Sequence, residues 1–346
     1  MASKKYRSIV AGAGSVLGGR LAVLLARAGH EVIAAESPEV LDAPGGLARG
    51  RFEAARDAGA WVQTIDVSAA GALDPLLRDI DMLYVATRPR EGDRSWKSLW
   101  RAVVGGTTNL VDASARNGGR LRRLALFSSA SVAGFTGDGA AVDEAAPTDP
   151  RTDLARALSL AEHVVRRRCP EAGIPFTIVR PGHLVGADAG LPLAALFRPT
   201  WLPAVAVPAG DSGEVPLCHL DDACNAAVHL CKYASGANGT FFVTDGSRAT
   251  VADLLRRVAR ARGAQAIPLP GVRSEWLGQA ACLAVAADRF VAARRGRSPV
   301  LDPDLAGLLG GGLRVRTDRL AQAGFTPAYP DACSGLAALG AAVRGG

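Results

Sequence analysis

The segment Gly12-Ala13-Gly14-Ser15-Val16-Leu17-Gly18 constrains this chain more than any other. It follows a short apolar run, Ser8 to Ala11, that reads as a strand. It precedes Arg20 to Ala28, where Leu21, Leu24, Leu25 and Ala28 recur at helical spacing until Gly29 ends the pattern. Glu31 to Ala35 reads as a second strand. A glycine-rich turn between strand and helix removes the side chains that would keep a ligand from the backbone. The first N–H groups of the helix have no partner within it, and its dipole adds partial positive charge, so such a turn suits a phosphate. A glycine motif by itself is weak, since a tight structural turn is its ordinary use. After a strand and at the opening of a helix it carries more weight.

The alternation continues down the chain. A helix is expected before Gly59, a strand at Trp61 to Ile65 closed by Asp66, and a short helix at Leu73 to Leu77. Further strands are expected at Met82 to Ala86, Leu124 to Ser128 and Phe176 to Val179, with helices at Ser95 to Asn117 and Asp153 to Arg168. Strands alternating with helices imply an α/β fold, a doubly wound parallel sheet of Rossmann type covered on both faces. After Pro181 the rhythm breaks, with five prolines between 182 and 217. A helix at Leu220 to Tyr233 and a strand at Gly239 to Val243 follow, and residues 250–346 read as mostly helical. The expected division is a nucleotide-binding core over 7–181 and a small C-terminal substrate-binding cap over 182–346, with 215–245 returning to the core.

Glu36 closes the second strand, where a carboxylate can accept hydrogen bonds from the hydroxyls of an adenosine ribose. With the phosphate-binding turn, this points to a dinucleotide. A carboxylate there repels a 2′-phosphate, so NAD is expected rather than NADP. Asp66, at the end of the third strand, is placed to face the adenine. The expected contacts at the turn are Gly12, Gly14, Ser15, Val16, Leu17 and Gly18.

The formal charge is +7, with arginine carrying nearly all of the positive charge beside only four lysines. The basic residues are scattered rather than gathered into one module, and no nucleic-acid-binding pattern accompanies them, so no nucleic-acid partner is expected. The six cysteines form no CxxC pair and no ligand-spaced cluster. Reduced thiols, the lack of a secretory h-region and apolar stretches broken by Arg, Asp, Pro or Gly give the expectation of a cytoplasmic protein with no membrane partner. His219, Asp221 and Asp222 contain metal-ligating types, but acidic residues at a helix start have a structural use, and no metal is expected.

Taken together and in order, these landmarks resemble the extended short-chain dehydrogenase/reductase family, of NAD-dependent epimerase/dehydratase type, over roughly residues 7 to 335. The family's Gly-x-x-Gly-x-x-Gly falls on Gly12, Ser15 and Gly18, so serine replaces the middle glycine. Leu83-Tyr84-Val85-Ala86-Thr87 resembles the strand bordering the nicotinamide ribose, and Gly106 to Leu110 resembles the family's long-helix motif. Phe127 to Gly134 resembles the serine-rich strand end, which places the family's catalytic Ser/Thr on Ser129. Arg180 to Gly186, His219 to Ala223 and Leu320 to Pro327 resemble three later motifs. The resemblance implies a Rossmann core binding NAD(P), with Val67, Ala86, Thr87, Ser128 and Pro181 among the cofactor contacts. It also implies a possible homodimer through the helices near 95–117 and 153–168.

One departure outweighs these matches. The family's general acid/base tyrosine and its lysine four residues later fall on Leu154 and Leu158, counted back from Glu162. The four tyrosines of the chain, at 6, 84, 233 and 329, are followed four residues on by Val10, Arg88, Ala237 and Cys333, so no Tyr-x-x-x-Lys exists anywhere. Leucine neither exchanges a proton nor holds a ribose. Ser129 can hydrogen-bond a carbonyl but is a poor base unaided. His183, just past the sixth strand and able to exchange protons near neutral pH, is the first replacement candidate, against its ordinary use as a loop histidine bonded to backbone. Asp143 and Glu144 are candidates from the lid side. Asp153 and Arg156 flank the lost tyrosine, Asp153 being expected to cap its helix. His163 is expected to face outward or to pack on the next strand, Trp96 and Trp100 to pack, and Trp201 to line an apolar pocket or close the cap.

Three readings stay open. The chain is an enzyme that oxidises, reduces, epimerises or dehydrates a small organic substrate with non-standard proton transfer. Or it is a dinucleotide-binding regulator. Or it is a non-redox isomerase or cyclase using the same pocket. An intact substrate domain favours an enzyme.

Overall fold

The structure, a computed structural model, describes residues 5–117, 121–135, 140–186, 204–209, 213–271, 274–295, 307, 309–310 and 312–331. In chain order the elements are β1 (Arg7–Ala11), α1 (Val16–Arg27), β2 (Glu31–Glu36), α2 (Pro38–Leu41), α3 (Leu47–Asp57), β3 (Trp61–Thr64) and β4 (Met82–Val85). Next come α4 (Trp96–Leu99), a π-helical stretch (Trp100–Gly105), α5 (Gly106–Arg116), β5 (Arg123–Phe127), α6 (Asp153–Glu171) and β6 (Phe176–Pro181). Beyond them lie β7 (His183–Val185), β8 (Ala204–Pro208), β9 (Leu217–His219), α7 (Leu220–Lys232), β10 (Gly239–Val243), α8 (Val251–Arg262), β11 (Gln265–Leu269), α9 (Ser274–Arg295) and α10 (Asp318–Gln322).

The main sheet has seven parallel strands in the order β10-β6-β5-β4-β1-β2-β3. The chain winds outward from β1 to β3, then restarts at β4 beside β1 and winds the other way. The crevice of such a sheet opens at the carboxyl ends of the two strands where the direction reverses, here β1 and β4. Both faces are covered, so the central strands are apolar throughout and their alternate residues feed two cores. Val10, Tyr84 and Phe127 pack with Leu21 of α1, Phe52 of α3 and Leu230 of α7. Ile9, Ala11, Val85 and Leu126 pack with Leu110 and Val111 of α5 and Leu158 and Val165 of α6. A smaller core, with Val185, Val207, Leu217, Val251 and Leu254, joins β7, β8, β9 and α8.

Several expectations change. Helix α1 begins at Val16, ahead of the expected Arg20, because Ser15 caps it, its Oγ accepting from the Gly18 amide at 3.1 Å. Leu73 to Leu77 forms turns rather than a helix, between Gly71 and Asp79 at positive φ, and a run that short cannot nucleate unaided. The long helix from 96 to 116 contains a π-helical stretch that meets the Gly105-Gly106 pair. The C-terminal region adds a strand, β11, paired with β8. Trp96 and Trp100 lean on each other at 5.9 Å but stay 39% and 48% exposed instead of packing inside. Trp201 lies outside the described residues.

Candidate active site

At the carboxyl edge of the sheet lies a cleft of about 260 Å³. The first turn contributes Gly14, Ser15, Val16 and Leu17 to its wall. Ala86 and Arg88 come from the end of β4, and Ser128, Ser129 and Ser131 from the end of β5. Leu154 and Leu158 enter from α6, and Pro181 and His183 from the end of β6 and the start of β7. Residues far apart in sequence meet here because parallel strands deliver all their carboxyl ends to one edge.

Gly12 and Gly18 lie beneath this wall and make it possible. A Cβ on Gly12, whose φ is +92°, would fall 2.5 Å from the Ala86 carbonyl carbon, and one on Gly18 would fall 2.1 Å from the Gly12 oxygen. Ser15 turns its hydroxyl back on the Gly12 carbonyl at 2.7 Å, so it serves the helix cap rather than projecting toward a phosphate. The amides of Val16 and Leu17, by contrast, have no partner among the described residues and open at a helix N-terminus beside the cleft.

A second, much narrower hollow of about 20 Å³ adjoins the cleft. Glu36, Asp66, Val67 and Thr87 line it, and Val40, Arg88, Pro89 and Arg90 border both spaces. Arg101 pairs with Glu39 among its walls. Glu36 is only 3% exposed, and both its oxygens are engaged at 2.8 Å, Oε2 by the Gly14 amide and Oε1 by the Ser37 amide. Burial raises its pKa to about 7, against the pull of those two amides. Asp66 accepts from the Ser68 amide and hydroxyl at 2.9 and 2.6 Å. The chemistry of this donor and acceptor set fits the adenosine end of a dinucleotide. A hollow of that size holds about one water, so an adenosine enters only when the bordering residues 88–90 or Val40 shift.

Around the reacting end, the Ser129 and Ser131 hydroxyls lie 2.9 Å apart. Ser128 Oγ donates to Glu162 Oε1 at 2.6 Å inside the core. His183 is half-buried, and its backbone amide donates to the Pro216 carbonyl at 2.7 Å. Leu158 is fully buried and Leu154 partly so. Asp143 binds the amides of Ala145 and Ala146, and Glu144 binds the amide of Phe242 at 3.0 Å, so neither reaches the cleft. Thr152, not Asp153, caps α6. His163 faces outward. His219 accepts from the Asp221 amide, Asp221 pairs with Arg20 at 2.6 Å, and Asp222 accepts from the amides of Ala328 and Tyr329, so each member of that trio has a structural partner.

Three groups escaped the sequence reading: Arg51, whose Nη1 donates to the Gly14 carbonyl at 3.2 Å, Ser131, and Arg88. Arg88 carried a signal, since it directly follows a strand end on the ligand edge. Arg51 carried none, because its approach depends on how α3 packs on α1.

Against known proteins, residues 8–243 match the model of the NAD dependent epimerase/dehydratase family. The fold is shared with a UDP-glucuronic acid 4-epimerase from Bacillus cereus solved with NAD, at a TM-score of 0.75 and 14% identity over 98% of this chain and 99% of that one. It is shared too with a double mutant of a dTDP-glucose 4,6-dehydratase from Streptomyces venezuelae, at a TM-score of 0.69 and 18% identity over 98% and 97% of the two chains. No curated protein sequence matches the chain. No helix among the described residues is long and apolar enough to cross a membrane.

Proposed function

Since the chain belongs to the NAD-dependent epimerase/dehydratase family, we propose that it is an NAD-dependent enzyme acting on a small organic substrate with proton transfer that bypasses the family's tyrosine and lysine. The observation that carries this reading is the cleft itself. With leucine at 154 and 158 the site remains open, about 260 Å³, and lined by Ser129 and His183. A scaffold retained only for packing would fill that volume.

Bound NAD supplies the hydride-accepting ring, while the chain supplies everything else. The Val16 and Leu17 amides and the α1 dipole hold the diphosphate. Glu36 holds the adenosine ribose and disfavours a 2′-phosphate. Ser129, fixed by Ser131, donates a hydrogen bond to a substrate carbonyl oxygen. Leu154 and Leu158 exclude water, and the imidazole of His183 exchanges the proton. Residues beyond 182 provide most of the substrate cap.

A second reading, a dinucleotide-binding protein without turnover, is favoured by one observation: Leu158 packs fully into the core and offers no polar group. One experiment separates the two. The full chain is titrated with NAD and screened for turnover on nucleotide sugars and other hydroxylated substrates, beside Ser129→Ala and His183→Ala. Both variants should keep NAD binding and lose turnover by about 100-fold or more. Turnover unchanged in both removes these site residues, and NAD binding without turnover on any substrate supports the second reading.

A further inference from the structure

Four arginines, Arg51, Arg88, Arg90 and Arg94, line the cleft, and Arg88 lies at the edge of the sheet. Arg88 follows Thr87 at the carboxyl end of β4, and its guanidinium lies across the edge of the sheet, Nη1 donating to the Thr87 carbonyl at 2.8 Å and Nη2 to the Phe127 carbonyl at 3.2 Å. The Thr87 carbonyl lies just past β4, and the Phe127 carbonyl is the last of β5 before the serine-rich turn. Arg88 borders both the cleft and the narrow hollow of Glu36, so it lies between the two ends of any ligand that spans them. Among the described residues no carboxylate pairs with it, whereas its neighbours Arg51 and Arg90 have Glu91 and Asp93 at 3.8 and 3.7 Å. Burial lowers its pKa to about 10, so it stays protonated at neutral pH. A partly desolvated cation facing two carbonyl oxygens and no counter-ion destabilises the free protein, and an arriving anion relieves that cost.

We infer that Arg88 is a phosphate-binding cation of the cofactor cleft, approaching the bridging phosphates of the dinucleotide from the β4 edge. This rests on the cofactor reading above. A guanidinium presents a fixed fork suited to phosphate oxygens, and it approaches from the β4 edge rather than from α6. The dinucleotide is thus held between the Val16–Leu17 amides on one side and Arg88 on the other.

Calorimetric titration of the full chain with NAD, ADP-ribose and adenosine tests the assignment, using Arg88→Met and Arg88→Lys. Arg167→Gln, exposed on α6 and paired with Glu171, controls for the loss of one surface charge. Arg88→Met should weaken NAD and ADP-ribose by about 10- to 100-fold, the value of one charge-assisted contact. Adenosine should bind unchanged, and Arg88→Lys should fall between. The melting temperature of ligand-free Arg88→Met should equal or exceed that of the wild type, because a half-buried charge with no carboxylate partner among the described residues has gone. Unchanged NAD affinity in Arg88→Met overturns the inference. So does weaker binding accompanied by a lower melting temperature, the mark of a structural strut between β4 and β5. Wild-type protein that binds neither NAD nor ADP-ribose overturns the cofactor reading and this inference together, whereas wild-type binding that Arg88→Met leaves intact overturns the inference alone.

Discussion

Glu162 of α6 and Arg180 of β6 form a buried bidentate ion pair, with Nε to Oε1 at 2.8 Å and Nη2 to Oε2 at 2.6 Å. Ser128 donates to the same Oε1, so one carboxylate ties α6, β6 and the end of β5 together. Leu158 and Leu154 lie one and two turns before Glu162 on the same helix face. The pair therefore sets how the two leucines meet the cleft. Arg180 also stacks over the Phe242 ring at 5.4 Å, which locks the sheet edge.

Breaking that pair should be costly. Glu162→Gln keeps the shape but leaves the Arg180 charge buried and uncompensated, a loss of about 3–5 kcal/mol in urea unfolding. Adding Arg180→Met to it should recover a large part of the loss. Additive losses in the double variant would show that the pair's worth lies in packing rather than charge.

Glu36 predicts a pH dependence of stability. Its pKa rises from 4.5 to about 7 on folding, so between those values the folded protein binds more protons than the unfolded chain. Its contribution to stability is full below about pH 4.5 and is lost as pH rises through about 7, a span worth on the order of 3 kcal/mol. Urea midpoints of Glu36→Gln, compared with the wild type from pH 4.5 to 8, should lack this decline. Discrimination against NADP should also weaken below about pH 7, as the carboxylate that repels a 2′-phosphate becomes neutral. A constant NAD to NADP affinity ratio from pH 6 to 8 would remove Glu36 from that role.

The two leucines should respond unequally to truncation. Leu158→Ala removes a fully buried side chain that packs into the core beneath the cleft and should cost about 3 kcal/mol. Leu154→Ala, beside open space, should cost less than about half as much while enlarging the cleft. Equal losses by denaturant titration would place Leu154 in the core instead of the cleft wall.

Trp96 and Trp100 are exposed side by side on the helix that runs to Arg116, and that helix packs against α6. A homodimer that covers this indole pair is expected. Sedimentation at micromolar concentration should give a dimer for the wild type and a monomer for Trp96→Ser/Trp100→Ser. A wild-type monomer excludes this assembly.

The parallel α/β architecture, the glycine turn and the absence of the tyrosine–lysine pair were all legible in the amino-acid sequence, because each rests on local rules. Apolar runs with helical or strand period, glycines where a Cβ cannot fit, and a count of tyrosines and lysines need no knowledge of distant contacts. Local rules failed where neighbours in space override neighbours in sequence. Ser15 reads as a substituted glycine until its hydroxyl is seen capping α1. Glu36 reads as a strand-end carboxylate open to a ribose until packing buries it against the Gly14 amide and raises its pKa. Asp143 and Glu144 read as lid acids until turn amides and β10 claim them. Leu154, Leu158, Ser129 and His183 line one cleft, and only the tertiary structure set Arg88 across the ends of β4 and β5. The physical reason is that a parallel sheet gathers all its carboxyl ends on one edge, while the loops that fill that edge are chosen by long-range packing and electrostatics that no short window of sequence contains.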